Sequence, residues 1–214
     1  MGQYDNRGHL VPAATYSSSQ GRYDSTYTYT NAVPQKEHFN IGMWSQFERR
    51  IREYARWQCT RPLQGQAVPA GTLYLLTGTS FVRIQQQQNN QQQQNNQQQQ
   101  NNQQQQNNQV VGNVGVISQI GNDNAGRISV PNSLWTAGCC VRQIGQFTES
   151  FAVMGNNVQN NQQNLQLTLP ITVQQLQDIL AQDGNALNNV NLFPGDANCL
   201  HDLGWDLPPA NLGR

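Results

Sequence analysis

Polar and apolar positions alternate through TYTYTNAVPQ (residues 26–35), the period-two signature of a half-buried strand, with Pro34 expected to end it. The rhythm then changes. In FNIGMWSQFERRIREYARWQCTRP the apolar residues Ile41, Trp44, Phe47, Ile51 and Tyr54 recur at helical spacing. They predict a helix that begins near Asn40 and closes before Pro62. GTLYLLTGTSFVRI (71–84) predicts a strand, or a hairpin with TGTS at its bend. VVGNVGVISQI, GRISVPNSLWTAGCCV and FTESFAVMG carry further strand signals, whereas NNVQNNQQNLQ is a polar linker. ITVQQLQDILAQDG predicts a short helix, with Thr172 and Gln175 as a capping box, Val173, Leu176, Ile179 and Leu180 as its apolar face, and Gly184 as its stop. A turn carrying His9 precedes all of this, and SSSQGRYDS and LFPGDANCLHDLGWDLPP are loops. The pattern predicts an α+β domain with an antiparallel sheet and the Asn40-to-Cys59 helix packed against it.

Composition changes this picture in one place. Apolar residues make up 36% of the chain and charged residues 11%, both low for a globular domain. The cause is Gln85–Gln109, in which QQQQNN repeats four times. A tract with no apolar face cannot pack, so residues 85–109 are expected to be a disordered insertion, interrupting a hairpin within one domain of residues 1–84 and 110–207. The formal charge is zero, yet residues 1–62 hold eight Arg/Lys against five Asp/Glu, a mild bias toward polyanions. No apolar run is long enough for a membrane span. MGQYDNRGHL lacks a signal-peptide core, and Asn6 stands where myristoylation needs Ser or Thr. Cys59, Cys139, Cys140 and Cys199 fit no zinc spacing and read as disulfides. Adjacent Cys139 and Cys140 are expected to bond to different partners, which implies an oxidising compartment.

The candidate chemistry lies in the first quarter of the chain. Asn40, Trp44, Glu48 and Arg52 are spaced by four and share one helical face, while Arg7, His9 and Asn31 precede them. Taken singly they read differently: His9 as a surface histidine, Asn40 as a helix N-cap, Glu48 and Arg52 as an ion pair, Trp44 as packing. His38 and His201 have no partners at ligand spacing. Together the set suits phosphodiester hydrolysis. A neutral imidazole can take the proton of an attacking water near neutral pH. A hydrated divalent cation needs only one or two protein oxygens, and guanidinium groups offset charge on the phosphate.

NRGHL, then TNAVPQ, then FNIGMWSQFERRIR resembles the DNA/RNA non-specific endonucleases, whose fold is ββα-metal (His-Me finger). The resemblance implies His9 as general base, Asn40 as the Mg²⁺ ligand and Glu48 as holder of metal-bound water. It likewise implies Arg7 and Arg52 as phosphate contacts and Asn31 as the residue that orients the histidine turn. DNA and RNA would be cut with little sequence preference, because contacts go to phosphate and sugar. VPNSLWTAGCC, ESFAVMG and LFPGDANC are similar to the endonuclease domain-containing 1 branch, which implies secretion. Asn6 replaces the aspartate usual before the arginine, with Asp5 one place earlier. Family members carry a long upstream segment, so this chain is expected to be incomplete at its N-terminus. The alternatives are a catalytically inactive nuclease-like binding module and an assembly protein driven by the Gln/Asn tract.

Overall fold

The computed structural model describes residues 5–62, 71–86, 110–115, 118–122, 126–142, 148–159, 165–183, 189–195 and 197–200. Its centre is an antiparallel four-stranded sheet in the order β10-β9-β8-β3: β3 is Gly71–Ser80, β8 Ser133–Arg142, β9 Thr148–Asn156 and β10 Thr168–Ile171. Side chains alternate across a strand, so each central strand feeds two cores. Leu134, Cys140, Phe151 and Val153 face a helical run that contributes Phe39, Trp44, Phe47, Ile51 and Tyr54. Ala137, Ala152 and Met154 face the opposite layer, helix α4 (Val173–Leu180) and strand β4 (Val82–Gln86). The same alternation explains the cysteines. Cys140 bonds Cys59 at the end of the helical run, and Cys139 bonds Cys199 on the other side. These links close loops of 81 and 60 residues. In the chain-entropy account each restricts the unfolded chain by about 4–5 kcal/mol.

Residues 5–59 form a strand–strand–helix unit. β1 (Asp5–His9) pairs antiparallel with β2 (Ala32–Lys36), and Glu37 begins the helical run immediately afterwards. A short helix α1 (Gln20–Ser25) lies in the connection between the strands. The Thr/Tyr alternation does not form the expected strand. Tyr29–Asn31 is a 3₁₀ turn, the strand begins only at Ala32, and Pro34 lies inside it, opposite Arg7. Proline is tolerated because the outer edge of β2 has no ladder partner among the described residues.

The helical run is also not one straight helix. It starts at Glu37 (α2, Glu37–Phe39), passes through a widened π-type turn at Asn40–Trp44, continues as α3 (Ser45–Tyr54) and widens again at Ala55–Cys59. Gly42 breaks the helical dihedrals inside the first widened turn. Asn40 is therefore not an N-cap; Lys36 occupies that position, with no side-chain cap. Ile41, expected on the buried face, is 66% exposed, because the widened turn rotates it away from Trp44. Trp44, Phe47, Ile51 and Tyr54 are buried as expected.

TGTS is not a bend: Thr77–Ser80 continue β3 and pair with Ser133–Thr136 of β8. β4 instead pairs with β5 (Val110–Val114), so the strands around the Gln/Asn tract do form an antiparallel hairpin; Gln85 and Gln86, expected in the disordered insertion, belong to β4, where their backbones pair with Val111 and Val110. β6 (Ser118–Asn122) and β7 (Gly126–Val130) form another. The Thr172–Gln175 capping box is present with both reciprocal hydrogen bonds. Residues 87–109, Gly184 and His201, on which further expectations fall, lie outside the described residues.

Two asparagines expected in a linker instead hold the layers together. Asn156 reaches one face: its Oδ1 accepts from Ile84 N at 2.9 Å and its Nδ2 donates to Ile84 O at 2.9 Å and Leu165 O at 3.0 Å. Asn157 reaches the other. Its Oδ1 accepts from Lys36 N at 2.7 Å, and its Nδ2 donates to Pro34 O at 3.0 Å and Pro131 O at 2.9 Å. Both are almost fully buried, so each lost bond strands a polar group away from water. Asn157→Ala is expected to lower unfolding stability by about 2–4 kcal/mol, read from urea titration.

Candidate active site

Arg7 and His9 lie two residues apart on β1 and therefore project from the same face of the ribbon. Gly8 between them turns to the opposite face, where the buried Gln35 carboxamide lies over it. A Cβ at Gly8 would stand 2.0 Å from Gln35 Cδ, so only glycine leaves that side chain its place. Val33 and Leu10 also face inward, against the cluster that holds Trp44.

Asn31 fixes the chain just beyond His9. Its backbone carbonyl accepts from Leu10 N at 2.9 Å, and its Oδ1 accepts from Val11 N at 2.8 Å. Its Nδ2 donates to Val11 O at 3.0 Å and to Thr26 O at 2.8 Å. One carboxamide thus joins both ends of the connection between β1 and β2. The site opens into a cavity of about 370 Å³ lined by Arg7, His9, Tyr27 and Tyr29, among others. The Tyr27 ring meets the imidazole edge-on, with centroids 4.8 Å apart. The two tyrosines were legible only as strand residues; their position beside His9 follows from the 3₁₀ turn.

The second group lies on the helical run. Burial pushes the Glu48 carboxyl up to about 7, opposed by the nearby Arg52 guanidinium and by a hydrogen bond donated from Trp44. Burial lowers the Arg52 pKa, against the attraction of Glu48 and Glu53. Arg52 Nη1 is buried without a hydrogen-bond partner among the described residues. Arg49 pairs with Glu53 at 3.7 Å. The half-buried Asn40 occupies the widened turn, a helix irregularity frequent at functional sites.

The structure therefore brings together Arg7, His9 and Asn31, and separately Glu48 and Arg52. Neither Asn40, Glu48 nor Arg52 is among the described residues that line the His9 cavity. No group of three His, Cys, Asp or Glu side chains with metal-ligand geometry occurs among the described residues. The oxygens on offer are one carboxamide and one carboxylate. This donor set fits a hard cation that keeps most of its waters and does not fit a tetrahedral zinc site.

The family model for DNA/RNA non-specific endonucleases matches residues 2–191. No curated protein matches the chain.

The Glu48 shift has a definite sign in stability. Folding raises this carboxyl from 4.5 to about 7, so the folded state binds more protons between those values and stability falls as pH rises through that window. The ionised form costs up to about 3 kcal/mol above pH 7, less what residual solvent screens. In metal-free buffer, urea titrations from pH 4 to 8 should show this decline in the wild type and a flatter profile in Glu48→Gln. Parallel profiles would contradict it.

Proposed function

The chain belongs to the DNA/RNA non-specific endonuclease family, and from that premise we propose that it hydrolyses phosphodiester bonds of DNA and RNA with His9 as general base. The observation that supports this most is the Asn31 clamp. It pins the backbone following His9 at two points, so the imidazole lines the cavity beside Arg7 with little backbone freedom. In this reading His9 takes the proton of the attacking water, and Arg7 holds a non-bridging phosphate oxygen by charge-assisted hydrogen bonds. Asn31 keeps the imidazole oriented, and Arg52 supplies a second positive charge.

Asn40 would give its carboxamide oxygen to Mg²⁺ or another divalent cation, and Glu48 would accept hydrogen bonds from the cation's waters. Such a cation, when bound, supplies charge stabilisation for the phosphate. It would also hold Glu48 ionised at neutral pH, against the burial that pushes its carboxyl up to about 7.

Residues 1–84 and 110–207 would act as one catalytic domain, since β3 before the Gln/Asn tract pairs along its whole length with β8 after it. Two disulfides suit secretion, as in the endonuclease domain-containing 1 branch. No helix among the described residues is long and apolar enough to cross a membrane.

A second reading is a nucleic-acid-binding module without catalysis. It is favoured by one observation: the cavity at His9 has no described lining residue from the helical run.

Plasmid and RNA degradation separates the two. The first reading expects cleavage in Mg²⁺ that EDTA abolishes and that His9→Ala lowers by about 100-fold or more. Asn40→Ala should raise the Mg²⁺ concentration needed for half-maximal rate. Equal inertness of wild type and His9→Ala would leave the binding module.

A further inference from the structure

Beside His9 the chain leaves a cluster of tyrosines in water. Tyr29 is 91% exposed and Tyr27 59% exposed, although such side chains ordinarily bury a large apolar area. Their backbones are nevertheless held. Tyr27 N donates to Asp24 O at 3.0 Å, Asn31 N donates to Thr28 O at 3.0 Å, and the Asn31 side chain ties the turn to Val11 and Thr26. Tyr27 is braced further by Tyr23, whose ring lies 5.2 Å away and whose hydroxyl shares a 2.6 Å hydrogen bond with that of Tyr27. Tyr27 and Tyr29 both line the cavity that holds Arg7 and His9.

Exposed aromatic faces on a pinned turn, next to a guanidinium, match one kind of nucleic acid. In a duplex the base faces are already stacked on one another and only edges and phosphates are presented. In a single strand each unpaired base has a free π-face, and stacking on an aromatic side chain tolerates any sequence. The cavity volume of about 370 Å³ lies within the range of small-ligand sites.

We infer that Tyr27 and Tyr29 form a stacking platform for unpaired bases, so that this site selects single-stranded or locally unpaired nucleic acid over duplex. The platform places a base on the tyrosines while the adjoining phosphate reaches Arg7 and His9. This rests on the nuclease reading for the cleavage step, but not for binding.

The test is fluorescence anisotropy in EDTA, where no cleavage occurs in the proposed reaction, with the full chain and fluorescein-labelled twelve-nucleotide oligothymidylate or a duplex of equal length. The single strand should bind at least about tenfold more tightly than the duplex. Tyr29→Ala should weaken single-strand binding by about fivefold or more, the lower end for losing one stacked ring. It should leave duplex binding unchanged, and Tyr29→Phe should bind like the wild type. Circular dichroism checks that the exposed substitution leaves the fold intact. Equal affinity for the two oligonucleotides, or unaltered single-strand binding by Tyr29→Ala, would overturn the platform even if Mg²⁺-dependent cleavage is observed. Conversely, selective binding without any cleavage in Mg²⁺ would sustain the platform and remove the nuclease reading.

Discussion

A two-stranded ribbon has no core of its own, so the position of His9 depends on how that ribbon is attached to the rest of the molecule. The attachment is the side chain of Asn157. It bonds the backbone of β2 at Pro34 and Lys36 and, with the same amide, the carbonyl of Pro131 in the link between β7 and β8. Asn156, its neighbour, does the equivalent for β4 on the opposite face of the sheet. Apolar burial by Val33 and Leu10 brings the ribbon to the sheet, but non-directional packing does not fix its register. Directional hydrogen bonds in a buried setting do, because each alternative position would leave polar groups unpaired.

Within that frame, Asn31 has a local task. The connection between β1 and β2 is long, and without a tie the turn after His9 would be free to fray. A carboxamide suits the task because it offers an acceptor and two donors at once, and here it uses both kinds. The helical run is fixed by different means. Cys59–Cys140 fastens its end to β8, the Tyr54 hydroxyl donates to Glu149 at 2.5 Å, and Arg142 Nη2 donates to Gln58 O at 2.8 Å. The two halves of the candidate site thus have separate anchors, which meet through β8 and β9.

The parts of this design that were legible in sequence are those with a strong local signal. The amphipathic spacing of Trp44, Phe47, Ile51 and Tyr54 requires burial on one side, and the Thr172–Gln175 box states a helix start chemically. Two consecutive cysteines point to opposite faces of any strand, which separates their partners without knowledge of the fold. The motif residues were legible through their resemblance to a family, and the family match extends well beyond them. What failed was local pattern overridden by distant partners. Thr/Tyr alternation suggests a strand, but a strand needs a neighbour, and β1 offers its partners to Ala32–Lys36 instead. Asn156 and Asn157 sit in a run of Asn and Gln that reads as a linker, and only their contacts across more than seventy residues distinguish them. Ile41 escaped its expected burial because Gly42 breaks the helix beside it.

The central claim is that His9 and Asn40, carried on differently anchored elements, serve one cation. Addition of Mn²⁺ followed by nuclear magnetic resonance tests this without turnover, since a bound paramagnetic ion broadens signals of nearby protons. The ring protons of His9 and the side-chain amide protons of Asn40 should broaden together, at the same Mn²⁺ concentration, and His9 should stay sharp at that concentration in Asn40→Ala. Broadening of Asn40 with a sharp His9, or unaltered broadening of His9 in Asn40→Ala, would contradict it.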